Sequence, residues 1–340
     1  MNCWSHCGSR APLGRFSLPV RILITGGFGL IGGRLGQHLH LAGHQVILGS
    51  RNARCSPDWL PQAGVAQTDW NDDGVLERIC DGADVVIHAA GMNAQDCAAD
   101  PVAALEFNGV ATARLFGAVS RADVKRFVHL STAHVYASPL IGTITEGTCP
   151  RNLHPYATSH LAGENAVLGA SRRGQIEGIV LRLSNAFGAP VHKDVNCWML
   201  LVNDLCRQAV QSGRMILHSS GLQQRDFIAM AEVCRVVEYI STHEFDALPP
   251  DIFNVGSGVS RSVLELAQLI QQRCKLVLGF EPELQRPEAS ADEKHEKLEF
   301  RLDRLAKMNV IVTSGCSMEI DGLLAFCRAS FSENGRDEGA

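Results

Sequence analysis

The sequence predicts an α/β fold, a doubly wound parallel sheet with a second, smaller lobe beside it. Over the first two-thirds of the chain, short β-branched runs alternate with longer amphipathic stretches. A glycine-rich loop joins the first such run to the first amphipathic stretch. Two regions, from Pro190 to Gly221 and the charged segment from Glu281 to Asp303, break the alternation and are expected to build the smaller lobe. A cleft between two lobes is a common ligand site.

In chain order the candidate strands are Arg21–Thr25, Gln45–Leu48, Val85–His88, Arg126–Ser131 and Ile179–Leu183, each a short run rich in Val, Ile, Leu or Phe. Between them, Ile31–Ala42, Asp73–Cys80, Pro101–Ser120 and Tyr156–Arg172 read as helices. The pattern resumes with a strand at Ile252–Val255 and a helix at Ser262–Cys274. Strands separated by helices pair in parallel, because the crossover returns the chain to the same edge of the sheet. Residues 20–188 are therefore read as the first domain, its sheet completed by about 222–275, with 189–221 and 276–330 forming the second lobe. Residues 1–19 and 331–340 read as loose tails.

A chain of 340 residues is long enough for a sizeable core. Its net charge of −5 excludes nucleic-acid binding by bulk charge, and no basic patch interleaved with aromatics suggests it otherwise. No stretch approaches about 18 consecutive apolar residues, so no membrane span is expected. The 12 cysteines are scattered from Cys3 to Cys327, mostly in apolar segments, which predicts reduced thiols in a cytoplasmic protein. Cys3 and Cys7 flank His6 without a second thiol pair, and no metal set is expected. Charge is uneven along the chain. Residues 1–57 hold six arginines and no acid, leaving 25 basic and 36 acidic residues in 58–340.

The loop Thr25-Gly26-Gly27-Phe28-Gly29-Leu30-Ile31-Gly32 follows a strand and opens a helix. A pyrophosphate must approach such a backbone without meeting a Cβ, and the helix N-terminus then offers it unpaired N–H groups. Gly26, Gly29, Leu30, Ile31 and Gly32 are thus candidate dinucleotide contacts. The carboxylate that would bind the ribose 2′-hydroxyl of NAD, some 20 positions on, is absent. Arg51 stands there, with Arg54 beyond, and a guanidinium suits a 2′-phosphate. NADP is therefore the expected cofactor and NAD the alternative. Asp69 and Trp70 fall where a loop can border the adenine.

Further landmarks follow in order: Val86-Ile87-His88-Ala89-Ala90-Gly91, Asn108, Leu130-Ser131-Thr132-Ala133-His134-Val135-Tyr136, Pro155-Tyr156-Ala157-Thr158-Ser159-His160, Leu181-Arg182-Leu183-Ser184-Asn185, Arg225-Asp226-Phe227-Ile228 and Phe253-Asn254-Val255-Gly256. With them the chain, over roughly Arg21 to Cys327, resembles the extended short-chain dehydrogenase/reductases of the NAD-dependent epimerase/dehydratase branch. The resemblance implies a Rossmann sheet, a nucleotide-sugar ligand, and hydride transfer between nicotinamide and a sugar carbon. It places Tyr156 as the proton-transferring tyrosine, Thr132 as the hydroxyl on the reacting oxygen, Ala89 and Ala90 at the cofactor and Ser131 at the substrate. A homodimer through Pro101–Ser120 and Tyr156–Arg172 is a further implication.

The chain departs from the family at position 160, where His160 replaces the lysine that supplies charge to the tyrosine and holds the nicotinamide ribose. A neutral imidazole still makes one hydrogen bond but supplies no permanent charge, its unperturbed pKa being about 6.5. On the substrate side, Asn185, Arg225 and Arg286 are matched to sugar and diphosphate contacts. Ala133 and His134 stand where dehydratases of the family carry an acid pair, which disfavours dehydration; His134 and His192 are assigned no chemistry. The expected activity is 4-epimerisation or ketosugar reduction. The alternative is a non-catalytic NAD(P)-binding sensor or scaffold of the same fold.

Overall fold

The computed structural model describes residues 19–174, 176–245, 252–290, 292–293, 296–313 and 315–332. Nearly all of the expected N-terminal tail, with Cys3, His6 and Cys7, lies outside the described residues, as do positions 333–340. The chain opens with β1 (Arg21–Thr25), α1 (Leu30–Leu41), β2 (Gln45–Ser50), β3 (Gly64–Gln67), α2 (Asp73–Cys80) and β4 (Val85–His88). Next come α3 (Ala94–Ala99) and α4 (Pro101–Ala104), which runs through a π-helical turn at Leu105–Val110 into α5 (Ala111–Arg121). The middle holds β5 (Arg126–Thr132), β6 (Gly142–Ile144), α6 (Pro155–Arg172), β7 (Glu177–Leu183), β8 (Asn185–Phe187), α7 (Leu201–Ser212) and β9 (Arg214–Ile216). There follow β10 (Gln224–Ala229), α8 (Met230–Thr242), β11 (Ile252–Val255), β12 (Ser260–Ser262) and α9 (Val263–Val277). The last elements are β13 (Glu283–Gln285), β14 (Leu298–Phe300), α10 (Asp303–Lys307) and α11 (Cys316–Phe331).

Seven strands form one sheet in the order β11-β7-β5-β4-β1-β2-β3, every pairing parallel. Alternation along the strands sends side chains to two cores. Ile22, Ile24, Val85, Ile87 and Val128 pack on α1 and α8, whereas Leu23, Val86 and Phe127 pack on α2, α5 and α6. The sheet is thus covered on both faces, which explains its nearly continuous apolar strands. Strand order reverses between β1 and β4, and ligands of such sheets bind at the carboxyl ends of the strands there.

The two segments that break the alternation meet, with β9 pairing parallel to β13. Around them a separate core gathers Leu205 and Cys206 of α7, Leu266, Ile270 and Cys274 of α9, and Leu323 and Leu324 of α11. Ser262 caps α9 reciprocally with Glu265, the capping box that starts this helix at the position expected from sequence. Arg34 of α1 donates to Glu319 of α11 (2.7 Å) and to the Ala189 carbonyl (2.8 Å), tying the glycine-loop helix to the smaller lobe.

One expected element differs in kind. Pro101–Ser120 is not a uniform α-helix, because the π-helical turn at Leu105–Val110 widens it where Asn108 turns inward. The whole run Pro101–Arg121 has the length and apolar character of a membrane span, yet about half of it is buried in this fold.

Candidate active site

The glycine loop follows β1 at the carboxyl edge of the sheet, where the strand order reverses between β1 and β4. Gly26 adopts φ +69°, and a Cβ there would lie 2.8 Å from the Ala90 nitrogen and 2.9 Å from the Ala89 carbonyl. A Cβ on Gly32 would come within 2.3 Å of the Gly26 carbonyl oxygen. Only glycine permits this packing of loop, helix and β4 end. Gly29 caps α1 without a side-chain hydrogen bond, and the first turn carries no acid. The first-turn amides, including those of Leu30 and Ile31, are therefore free to meet an anion.

At the end of β2, Arg51 and Arg54 are exposed. The Arg51 guanidinium lies 5.6 Å over the Phe107 ring and that of Arg54 lies 4.8 Å over Phe28 of the glycine loop. Neither has a carboxylate partner among the described residues. Asp69 is exposed and accepts the Asn71 amide (2.9 Å). Trp70 turns its ring inward, edge-on to Phe107 (centroids 5.6 Å) and tilted against His88 (5.7 Å).

Helix α6 starts at Pro155, with His154 capping the Tyr156 amide (3.2 Å). Tyr156 and His160 lie one turn apart on one face of it. Burial pushes the Tyr156 phenol's pKa upward, and the Thr132 side chain at the end of β5 pulls it the other way. His160 is 6% exposed and packs edge to face on Tyr156, centroids 4.6 Å apart. Burial lowers its pKa to about 4, so the ring is neutral, and its Nδ1 has no partner. A Cβ on Gly91, just past β4, would lie 3.5 Å from His160 Cε1. The segment just past β4 thus runs close to both the glycine loop and His160.

Behind His160, the rings of His129 (6.3 Å) and then His88 (5.4 Å, stacked) continue into the sheet. Register explains the stack, since His88 and His129 are paired across β4 and β5. His88 is held by Thr25 (2.7 Å) and Thr112 (3.0 Å), and burial drives its pKa to about 3. His129 is lowered well below its ordinary value, first by burial and then by its two histidine neighbours. Near His160, across the Gly91 position, Asn108 donates to Ser159 (3.0 Å) and accepts the Met92 amide (2.9 Å), with Cys97 beside it. His88, His129 and Cys97 were not singled out from sequence, because strand register and the π-turn bring them to the site.

Ser131 is not brought to this group. Next to Thr132 on a strand, it faces the other way and donates to Glu164 (2.5 Å). Glu164 is itself buried in a bidentate pair with Arg182 (2.6 and 3.1 Å). The expected substrate contact at Ser131 is thus replaced by a structural one.

The smaller lobe contributes a second group. Asn185 donates to the Asp226 carbonyl (2.8 Å) and stands beside the His134 side chain, whose charged form it favours. His134 titrates below its ordinary value, chiefly through burial and then through the nearby charge of Arg225. Arg225 is half-buried, and among the described residues its one side-chain partner is Gln223 (3.3 Å), with no carboxylate to compensate its charge. His134 was assigned no chemistry from sequence, but the turn after Thr132 carries it into this group. Its place two residues beyond Thr132 was the available signal. Arg286 is exposed and donates to the Ser220 carbonyl (2.9 Å); no contact among the described residues ties it to Arg225.

Residues 22–256 match the NAD dependent epimerase/dehydratase family. A relative, dTDP-6-deoxy-L-talose 4-dehydrogenase (NAD(P)(+)) of Kitasatospora kifunensis, is 31% identical over 265 residues, 74% of this chain and 78% of that protein. The fold is shared with UDP-glucuronic acid 4-epimerase of Bacillus cereus in complex with UDP-glucuronic acid and NAD, with a TM-score of 0.73, 19% identity and 91% and 99% of the two chains covered. It is shared also with RMD of Pseudomonas aeruginosa complexed with NADPH, with a TM-score of 0.71, 21% identity and 91% and 99% covered. The chain belongs to the NAD-dependent epimerase/dehydratase family, and its relatives include nucleotide-sugar epimerases, dehydratases and a 4-dehydrogenase.

Proposed function

We propose that this chain transfers a hydride between NADP(H) and a hexose carbon of a nucleotide-activated sugar, as a 4-epimerase or ketosugar reductase, with Tyr156 moving the hydroxyl proton. The observation that carries the reading is the close approach of the segment just past β4, Ala89 to Gly91, to both Gly26, where a Cβ would clash with it, and the His160 ring, 3.5 Å from where a Gly91 Cβ would stand. It brings a phosphate-compatible loop and a tyrosine–threonine hydroxyl pair to one edge of the sheet.

The residues fit a dinucleotide. Gly26 and Gly32 leave no room for side chains where a pyrophosphate must lie close to the backbone. The unpartnered His160 Nδ1 suits a ribose hydroxyl, and the uncompensated Arg51 and Arg54 suit a 2′-phosphate, favouring NADP over NAD. When bound, the nicotinamide supplies or takes the hydride. Tyr156 moves the proton of the sugar oxygen and Thr132 holds that oxygen by a hydrogen bond. Asn185 and Arg225, with the sugar-facing His134, hold the substrate, and the Arg225 charge attracts its diphosphate; Arg286 is a further diphosphate contact. In this reading residues 20–188 and about 222–275 hold the dinucleotide, and 189–221 with 276–330 close over the sugar. Exposed Val102, Leu105 and Val110 on the long helical run support a homodimer, and the free cysteines support a reducing, cytoplasmic setting.

The test follows NADPH absorbance and C4 configuration with UDP- and dTDP-linked hexoses and ketohexoses. Turnover is expected. Cofactor binding without turnover across the panel supports the sensor or scaffold reading instead.

A further inference from the structure

Strands β8 and β10 run parallel, with Asn185 opposite Phe227 and Phe187 opposite Ala229. Each carries a sugar-side residue near its start, Asn185 on β8 and Arg225 on β10. Each leaves the pair at its far end, β8 into the Gly188-Ala189 turn and β10 into the first turn of α8. At the strand rise of about 3.3 Å per residue, that exit lies about 10 Å beyond Asn185.

Both exits meet on Glu319 of α11. Its carboxylate accepts the Ala231 amide of α8 (3.0 Å), and a Cβ on Gly188 would stand 2.2 Å from its Oε1. Gly188 has φ +153°, so only glycine fits against the carboxylate there. Asn203 of α7 holds Gly188 as well, accepting its amide (3.3 Å) and donating to its carbonyl (2.8 Å). Into this group reaches Arg34 of α1. It donates to Glu319 through both terminal nitrogens (2.7 and 3.4 Å) and to the Ala189 carbonyl (2.8 Å). Beside it, a Cβ on Gly33 would stand 2.7 Å from the Val191 side chain, so helix and lobe touch directly. Glu319 is buried and Arg34 half-buried. Arg34 lies one turn past Leu30, at the start of the helix that the glycine loop opens.

Given the two-ligand reading above, we infer that Arg34 and Glu319 are positioning residues: they hold the sugar strands β8 and β10 at a fixed offset from the dinucleotide helix α1, and so set the gap that the hydride crosses. Neither belongs to the glycine loop or to the sugar-side group. Each ligand's affinity comes from its own lobe, whereas the rate depends on how the lobes sit against each other. Reacting atoms must approach to about 3–3.5 Å, and a misplacement of about 1 Å costs about 10²-fold. A guanidinium fork on a carboxylate suits this role, because two parallel bonds fix orientation as well as distance.

The test separates rate from affinity in Glu319→Gln and Arg34→Lys. Glutamine keeps the shape but turns an N–H group toward either Arg34 or Ala231, both donors. Lysine keeps the charge but has no fork to span Glu319 and Ala189 together. Turnover is followed with UDP- and dTDP-linked 4-ketohexoses, using NADPH and NADPH deuterated at the nicotinamide C4. For Glu319→Gln, kcat is expected to fall about 10- to 100-fold, and less for Arg34→Lys, with a larger deuterium isotope effect on kcat in both. The Kd values for NADPH alone and for the UDP- or dTDP-hexose alone should stay within about twofold. Ile320→Val, a buried neighbour on α11, should lower the Tm while kcat and its isotope effect stay unchanged. Should Glu319→Gln fail to fold, Arg34→Lys decides. Unchanged kcat in the folded variants, a loss confined to the two Kd values, or an equal loss in Ile320→Val overturns the positioning role alone. A wild type that binds neither ligand or turns nothing over overturns the hydride-transfer reading, and the positioning role with it.

Discussion

His160 packs its imidazole edge to face on the ring of Tyr156, one turn along α6, with centroids 4.6 Å apart. Helix geometry puts residues i and i+4 on one face, so any side chain at 160 meets Tyr156. A lysine there would bring a charge; the imidazole brings a neutral ring and one free nitrogen. This exchange leaves α6 without a lysine beside Tyr156 and adds His160 to the buried His88 and His129.

Acid stability follows from the stacked His88, His129 and His160. Burial holds all three below their ordinary 6.5, His88 near 3 and His160 near 4. The unfolded chain takes up three protons as pH falls through about 6.5, while the folded chain resists them. Stability is therefore complete above that value and drains as pH falls toward 4, at up to about 4 kcal/mol per pH unit for three protons. Urea unfolding of the free protein across this range should show the midpoint falling, with a shallower slope in His160→Gln. A midpoint that does not move below pH 6.5 contradicts the neutral stack.

Cofactor selection should reside in two guanidiniums. Charge-assisted hydrogen bonds contribute about 1.5–3 kcal/mol each, so Arg51→Ala together with Arg54→Ala should weaken NADPH binding by about 10²- to 10⁴-fold. NADH binding should change by less than about twofold, since no 2′-phosphate is present to lose a contact. Calorimetric titration of both cofactors checks this.

Adjacent residues on β5 should separate structural from catalytic effects. Ser131→Ala removes a buried hydrogen bond to Glu164 and should cost about 1–3 kcal/mol of stability while KM for the nucleotide sugar stays unchanged. Thr132→Ala should lower kcat with little loss of stability. Thermal unfolding and initial rates on both variants make the comparison.

His134 should act on substrate binding alone. With the ring gone, Asn185 loses a partner and the Arg225 neighbourhood opens. His134→Ala should raise KM for the nucleotide sugar by roughly 3- to 10-fold, the worth of one hydrogen bond. The affinity for NADPH, measured by fluorescence, should not change.

Much of this arrangement was readable from residue patterns, and the rest depended on register. Arg21–Thr25, Asp73–Cys80, Val85–His88 and Ile252–Val255 fold with the boundaries their apolar runs imply. Short β3, with only Gly-Val-Ala-Gln to mark it, pairs because β2 offers an open edge. The Thr132–Tyr156–His160 group was implied by the family resemblance; its i, i+4 pair is a local feature, whereas Thr132 joins it only through the packing of α6 on the end of β5. The histidine stack was not implied, because it needs His88 and His129 to fall side by side on neighbouring strands. Ser131 was drawn to the site by its neighbour's role, and strand alternation sends it to Glu164 instead. His134 was passed over for a related reason. Its partners Asn185 and Arg225 lie 51 and 91 positions on in the sequence, and only the pairing of β8 with β10 brings them together.

The most direct test of the account is the kinetics of Tyr156→Phe with NADPH and a nucleotide-linked ketosugar. Loss of the phenolic proton should lower kcat by about 10²- to 10⁴-fold, the usual worth of a positioned general acid. KM and NADPH affinity should stay within about twofold, because the ring and its packing on His160 remain. Turnover equal to that of the wild type, with cofactor binding intact, would contradict the assignment of Tyr156 as the proton donor.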